Sequence, residues 1–262
     1  MPRPEVRAPA AIAVLATAGL VLAIIVAIAL RPVPSPHTAP TRLSSFGTRI
    51  LVVATHPDDE ILTAGGAIAE LVAKGAKVRV VIATAGDGYA AAARGLEARP
   101  DQETFRSLAE VRRRESVAAA LALGLAPSDV VRLGYADGGG AAMWDGSWDA
   151  SRTFTGRSGS PVVPYAWAYR PGAPNTGSAL TADLVAQIRD FAPDTVISPD
   201  TRETNADHAA IAAFTLLALD EASFAGRHLT AIVHFKGFPS PAAYLPADSI
   251  APPRQLLEPG VA

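Results

Sequence analysis

Along residues 49–237, short apolar runs alternate with segments in which apolar residues recur at helical spacing, which predicts strands alternating with helices. Short runs rich in β-branched residues predict strands at 49–55, 77–86, 129–135, 194–200 and 229–237. Helical spacing of the apolar residues predicts helices at 62–75, 101–125, 178–192 and 207–224. Such alternation builds a parallel sheet covered on both faces, so we expect an α/β fold. Ligands of these sheets bind beyond the carboxyl ends of the strands.

The stretch 138–177 breaks this alternation and is dense in glycine, proline, serine and aromatic residues. A long irregular insertion is usually functional or mobile, although a surface excursion without chemistry is an equal alternative. We expect a lid, because its aromatic side chains suit stacking on a ligand such as a sugar ring. These side chains belong to Trp144, Trp148, Tyr165, Trp167 and Tyr169.

An uncharged apolar stretch near the start of the chain predicts a membrane segment within residues 1–31. About 20 apolar residues span a bilayer core, so a single-pass anchor through residues 10–30 is expected. Arg3 and Arg7 precede the stretch and favour an orientation that leaves the following chain outside the cytoplasmic membrane. The alternative is a signal peptide, with secretion after cleavage, since the tripeptide at 27–29 resembles a cleavage site.

Residues 32–47 are rich in proline and serine and predict a linker, and residues 48–262 then form the working domain. The formal net charge is −2 and no basic stripe is visible, so nucleic acid is not an expected partner. The chain has no cysteine, which excludes disulfides, thiolate metal sites and cysteine nucleophiles. A metal would therefore have to be held by histidine and carboxylate side chains.

Two turns at predicted strand ends combine acids with histidine. The first, Thr-His-Pro-Asp-Asp-Glu at 55–60, places His56 and Asp59 where they can face one ion. The second turn, within 198–210, brings His208 to the same edge of the sheet. Acids that merely cap a helix, and a histidine that merely starts one, are the alternative interpretation. The paired turns favour a metal hydrolase, with two histidines, one aspartate and an open position for water.

These motifs resemble the LmbE-like, GlcNAc-phosphatidylinositol de-N-acetylase (PIG-L) family. The first turn and the Ala-Asp-His that ends the second carry the resemblance. Supporting similarity lies in "GG" at 65–66, "ATAGDG" at 83–88, Arg112 and Glu115 in "RRRE", "LG" at 123–124 and "LGYADG" at 133–138. The resemblance covers most of residues 48–240. It implies a Rossmann-like three-layer sandwich and a zinc-dependent deacetylase of N-acetylglucosamine-type glycoconjugates or related amides.

The resemblance also implies roles for individual residues. It makes His56, Asp59 and His208 the zinc ligands, although ligand types alone allow another divalent metal. Asp58 matches the general base, and one acid of the pair must indeed stay free to accept a proton. Two further residues, Arg112 and Asp137, match positions that meet the sugar, with a solvated charge and a turn acid as their alternative interpretations.

One position departs from the family pattern, because Asn205 stands where the second motif usually has histidine. Asparagine can donate a hydrogen bond to an oxyanion but cannot deliver a proton. We expect a working enzyme in which Asp58 also serves as the acid, Asn205 helps to hold the oxyanion and Asp207 orients its neighbours. His234 is assigned to strand packing rather than to the site.

The leading interpretation is thus a membrane-anchored N-deacetylase whose domain faces the cell exterior and whose partner is an N-acetylated sugar or glycoconjugate. The alternative is a catalytically weakened or inactive carbohydrate-binding member of the same fold, motivated by Asn205. A phosphatase is less well supported, since no basic groups adjoin the acidic turn to grip a phosphate.

Overall fold

Five parallel strands form the centre of the structure, a computed structural model that describes residues 43–236. The strands are β1 (Arg49–Ala54), β2 (Lys77–Thr84), β3 (Val130–Tyr135), β4 (Thr195–Pro199) and β5 (Arg227–Ala231). The helices are α1 (Asp59–Ala73), α2 (Ala90–Leu96), α3 (Gln102–Ala122), α4 (Gly140–Asp145), α5 (Gly177–Phe191) and α6 (Ala206–Glu221). The α/β class with a parallel sheet is confirmed.

The strand order β3-β2-β1-β4-β5 decides where a ligand can bind. The chain runs outward from β1 through β2 to β3 and then returns to the other side of β1 with β4. The loops after β1 and β4 therefore leave in opposite directions and open a crevice at the carboxyl edge of the sheet. Both predicted acid-plus-histidine turns begin at this crevice.

Alternate residues of β1 reach two separate apolar clusters, as the side-chain alternation of a strand requires. Leu51 and Val53 pack with buried residues of α5 and α6, whereas Ile50 and Val52 pack with buried residues of α1. The helices thus cover both faces of the sheet, and the arrangement is a three-layer sandwich. Burial on both faces explains why β1 reads as a continuous apolar run.

Several element boundaries differ from the sequence prediction. The first helix begins at Asp59 rather than at 62, because acids at the first turn complement the helix dipole without adding to the apolar period. The short helices α2 and α4 were not predicted, since neither carries an extended amphipathic pattern. The last strand, predicted at 229–237, spans only Arg227–Ala231, because it pairs with the five residues of β4 and with no other strand.

The insertion 138–177 packs against the rest of the structure. Val163 and Tyr165 are buried in the cluster that contains the α5 and α6 side chains. Tyr165 stacks on Trp167 with ring centroids 4.7 Å apart, and Trp148 stacks on Phe214 of α6. These contacts correct the expectation that Tyr165 is free to stack on a ligand, while movement of the segment as a lid stays a prediction.

The first described residues include part of the predicted linker. Leu43–Ser45 form a 3-10 turn, Phe46 is buried, and its carbonyl accepts a hydrogen bond from Thr195. Between residues 43 and 236, no helix is both long enough and apolar enough to cross a bilayer. The predicted anchor at 10–30 and the rest of the linker lie outside the described residues.

Candidate metal centre

Two loops that are far apart in sequence bring three predicted ligands together at the crevice. His56 Nδ1 lies 3.3 Å from Asp59 Oδ2 and 3.2 Å from His208 Nε2. His208 Nε2 lies 3.1 Å from the same Asp59 oxygen. Ligand atoms about 2.0–2.1 Å from a tetrahedral zinc ion stand roughly 3.3 Å from one another, so the three atoms have the spacing of one coordination site.

Local backbone structure holds each ligand in place. The turn after β1 closes with hydrogen bonds from the backbone N–H groups of Asp58 and Asp59 to the carbonyl of His56. In the second loop, Asn205 caps α6, and its Oδ1 accepts from the backbone N–H of Asp207 at 2.9 Å and of His208 at 3.4 Å. Asparagine is a favoured N-cap residue, so position 205 has a structural role in addition to any chemical one.

The ring nitrogen of each histidine that faces away from the ligand triangle meets a carboxylate. His56 Nε2 lies 3.1 Å from Asp137 and 3.5 Å from Asp207, and His208 Nδ1 lies 3.3 Å from Glu203. When the ring is neutral, such a partner keeps the proton on the far nitrogen and leaves the near one to bind a metal. Both imidazoles are therefore oriented as ligands.

Negative charge surrounds the ligand triangle and favours a cation. Burial lowers the pKa of His56, but hydrogen bonds with Asp137, Asp207 and Asp59 outweigh burial and raise it to about 11. Burial also opposes the charged form of His208, whereas Asp59 and Glu203 raise its pKa to about 9. Burial raises the pKa of Asp59, but its hydrogen bonds with His208 and His56 outweigh burial and hold that pKa below its usual range. Two histidines and one carboxylate suit zinc or another divalent metal, so the residues fit the expected ion.

Asp58 projects beside the triangle without belonging to it. Its side chain is half exposed at the cavity, and its carboxylate forms an ion pair with Arg112 Nη2 at 2.9 Å. Arg112 also donates to the carbonyls of Pro57 and Gly86 at 3.2 and 3.3 Å. The guanidinium therefore fixes the carboxylate at the mouth of the site, and a contact of Arg112 with sugar stays a prediction.

A network of buried acids supports the loop after β3. Asp207 accepts from the backbone N–H groups of Gly138 and Gly140 at 2.6 and 2.9 Å, and its role in orienting its neighbours stays a prediction. Asp87 accepts from the backbone N–H of Asp137 at 3.0 Å and from the Tyr165 hydroxyl at 2.7 Å. The insertion thus stabilises the loop that carries Asp137, whose own predicted contact with sugar remains untested.

The ligand triangle opens into a cavity of about 410 Å³. Its lining comprises His56, Asp58, Asp59, Leu62, Gly88, Tyr89, Arg112, Asp137, Asn205 and His234. Among the described residues, none of the five aromatic side chains expected from the insertion lines this cavity. Their stacking on a ligand would require the segment to move, and it stays a prediction.

The assignment of His234 to strand packing is also wrong, because the residue lies beyond β5 and lines the cavity. Glu203 is a second residue that sequence reasoning missed, although it stands five positions before His208 in the same turn. An acid so close to a ligand histidine was the available signal. No local pattern pointed to His234, whose position depends on where β5 ends.

Comparison with known proteins gives the same indication as the geometry. The model of the PIG-L family, described as GlcNAc-PI de-N-acetylase, matches residues 51–219. A 1D-myo-inositol 2-acetamido-2-deoxy-alpha-D-glucopyranoside deacetylase from Tsukamurella paurometabola is 30% identical over 184 residues, which cover 68% of this chain and 57% of the relative. A deacetylase of the same description from Mycobacterium sp. (strain KMS) is 53% identical over 45 residues, covering 17% of this chain and 15% of the relative.

Solved structures show weaker similarity. N,N'-diacetylchitobiose deacetylase from Pyrococcus horikoshii is 21% identical, with 74% of this chain and 53% of that chain covered and a TM-score of 0.44. The family model, however, matches more than half of the chain, and its residues 51–219 include His56, Asp59 and His208. The chain therefore belongs to the PIG-L (GlcNAc-PI de-N-acetylase) family.

Proposed function

We propose that this protein is a metal-dependent N-deacetylase that hydrolyses the acetamide of an N-acetylglucosamine-type glycoconjugate. The observation that carries the proposal is the triangle of His56, Asp59 and His208, with Asp58 beside it at the cavity, ion-paired with Arg112 and not part of the triangle. Family membership supports the reaction class. The Tsukamurella relative, a deacetylase of a 2-acetamido-2-deoxy sugar, supports the substrate class, although this chain spans only 57% of its length.

We propose zinc as the metal, because two histidines and one carboxylate are ligands that zinc accepts. When bound, it would supply a Lewis acid that activates water and polarises the acetamide carbonyl. His56, Asp59 and His208 would hold it, while Asp137 and Glu203 keep both imidazoles in the tautomer that leaves the metal-facing nitrogen unprotonated.

The chain's own residues supply the proton transfers. Asp58 lines the same cavity as His56 and Asp59, and it accepts the proton of the attacking water as the water oxygen bonds to the acetamide carbon. The Nδ2 group of Asn205 is left to donate toward the oxyanion, because its Oδ1 caps α6. The protonated Asp58 then returns the proton to the departing nitrogen as the C–N bond breaks. The products are acetate and a free amine.

The rim of the cavity suits a sugar. Leu62 and Tyr89 are both more than half exposed at its edge, where exposed apolar groups are otherwise unfavourable. An aromatic ring and an aliphatic side chain offer an apolar surface to the C–H face of a pyranose. Asp137 also lines the cavity and offers an acceptor for a hydroxyl group.

The second candidate is a protein that binds metal and sugar without turnover. Asn205 favours it, because a site in which a single acid must also protonate the leaving amine loses rate, by ~10²–10³ for one lost donor or acid. The ligand triangle is intact in either case, so metal binding does not separate the two candidates.

Acetate release separates them. The full chain is purified, its metal is counted, and acetate is assayed from N-acetylglucosaminides with and without a chelator. Metal-dependent acetate release supports the enzyme, and sugar binding without release supports the second candidate. A protein with no bound divalent metal and no metal dependence would refute both.

The Asn205→His variant then tests whether asparagine at this position impairs activity or whether the site has adapted to it. A strong rise in activity indicates damage, and a fall indicates a site adapted to asparagine. Loss of the N-cap costs ~0.5–2 kcal/mol of stability, so the melting temperature is measured alongside.

We further propose that the domain works outside the cytoplasmic membrane. The support is the uncharged stretch between Arg7 and Arg31 and the basic residues before it. Fractionation of cells that express the full chain, with protease protection of intact cells, tests this placement. Recovery of the intact chain in the cytoplasmic fraction would refute it.

A further inference from the structure

The segment after β5 reaches the metal centre through His234. The imidazole lines the same cavity as His56 and Asp59, and its centroid lies 4.7 Å from that of His208, with the rings at 87°. This position lies beyond the matched residues 51–219, so the family model assigns it no role.

Hydrogen bonds to the backbone of His234 fix this position from both sides. Its N–H donates to Glu203 at 2.7 Å, and the N–H of Val233 donates to the same carboxylate at 2.5 Å. Its carbonyl accepts from the backbone N–H of Thr204 at 2.8 Å and from the Thr204 hydroxyl at 2.9 Å. The Glu203 side chain is fully buried and also contacts His208. The turn that presents a metal ligand therefore also presents His234.

Amide hydrolysis needs a donor at the carbonyl oxygen, where negative charge develops. The carboxylates of the cavity are acceptors when ionised. Of the two ring nitrogens of His56, Nδ1 faces the ligand triangle and Nε2 faces Asp137. The guanidinium of Arg112 is held by Asp58 and by two backbone carbonyls. The side-chain donors that remain on the described cavity wall are Asn205, Tyr89 and His234.

We propose that His234 is a catalytic residue of the reaction proposed above, and that its imidazole donates a hydrogen bond to the acyl oxygen of the substrate. Nδ1 is the ring nitrogen on the Glu203 side, 3.9 Å from its carboxylate, and the ring orientation leaves Nε2 for the substrate. Within residues 43–236, the structure gives Nε2 no hydrogen-bond partner. His234 alone of the three donors also contacts a metal ligand through its ring. The proposal rests on the proposed function. It adds a second hydrogen-bond donor to the oxyanion, beside the Nδ2 group of Asn205.

The test compares His234→Ala with His234→Gln in the full-length protein. Alanine lowers kcat for acetate release by ~10²–10³, with KM, metal content and melting temperature unchanged. Glutamine keeps a neutral donor and recovers part of that loss. Asn205→His in the alanine background restores kcat further, because it places an imidazole on the adjoining wall. His228→Gln, on β5 and outside the cavity lining, is the matched control and keeps the wild-type kcat.

Acetate affinity gives a readout that does not need turnover. His234→Ala weakens acetate binding to the metal-loaded protein by about tenfold, whereas glucosamine binding does not change. A wild-type kcat and a wild-type acetate affinity in His234→Ala would overturn the proposal. So would equal losses in the alanine and glutamine variants that are accompanied by loss of metal. Failure of the wild-type protein to release acetate concerns the proposed function instead, and acetate binding then still decides the role of His234.

Discussion

Glu203 offers the sharpest test of how the protein prepares its metal ligands. Its buried carboxylate contacts His208 Nδ1 at 3.3 Å. It also accepts hydrogen bonds from the backbone N–H groups of Val233 and His234 at 2.5 and 2.7 Å. Glu203→Gln keeps the shape of the side chain but replaces one acceptor oxygen with an NH₂ donor. The amide cannot satisfy all three partners in either orientation.

The expected loss follows from the tautomer of His208. If the NH₂ group faces Nδ1, that nitrogen must accept, and the proton moves to Nε2, the atom that points at Asp59 and the metal position. If the NH₂ group takes the place of Oε2 instead, the part-buried backbone N–H of His234 loses its acceptor, which costs ~1–3 kcal/mol. Loss of such a carboxylate partner typically weakens metal binding by ~10–100-fold, or about 1.4–2.7 kcal/mol.

The assay is a zinc titration of the metal-free protein against a competing chelator. The matched control is Glu221→Gln, which removes one negative charge from the exposed far end of α6, the helix that carries His208. We expect the control to keep the wild-type affinity. If Glu203→Gln also binds zinc with wild-type affinity, then this carboxylate does not orient the His208 ligand, and the reasoning is refuted.

Three further predictions follow from the same geometry. Asp58→Asn is expected to lower kcat by ~10²–10⁴ without loss of metal, because the amide cannot accept the proton of the attacking water; unchanged acetate release would contradict this role. Metal binding at pH 7.5 is expected to release about two protons, since the pKa values of about 11 for His56 and about 9 for His208 leave both rings protonated in the metal-free protein; ordinary histidines would release about 0.2. Calorimetry in buffers of different ionisation enthalpy counts the protons. Both folded pKa values lie above the unfolded value near 6.5, so this stabilisation of the metal-free protein is complete below about pH 6.5 and is lost as pH rises through about 9 to 11. Tyr165→Phe is expected to lower the free energy of unfolding by ~1–3 kcal/mol, because a buried carboxylate loses its hydroxyl donor, whereas Tyr169→Phe, at a half-exposed ring, changes it little; equal values in urea titrations would refute this.

The sequence by itself determined the α/β class and indicated the three candidate metal ligands. Period and composition fix strands and helices locally, and parallel strands place their carboxyl ends at one edge of a sheet. The turn at 55–60 and His208 were therefore predictable as a site before their distances were known. The departure from the family pattern at Asn205 was also visible in the sequence, although the capping of α6 by Asn205 became visible only in the structure.

The tertiary structure alone decided which residues hold those ligands in place and what else faces the cavity. Glu203, Asp207 and Asp137 acquire their roles through contacts with loops that are distant in sequence. His234 enters the cavity because β5 ends with its partner β4, which an apolar run continuing past residue 231 does not reveal. The physical reason is that period and propensity act within a few residues, whereas hydrogen bonds and ion pairs at a loop crossing depend on where the sheet brings the loops together.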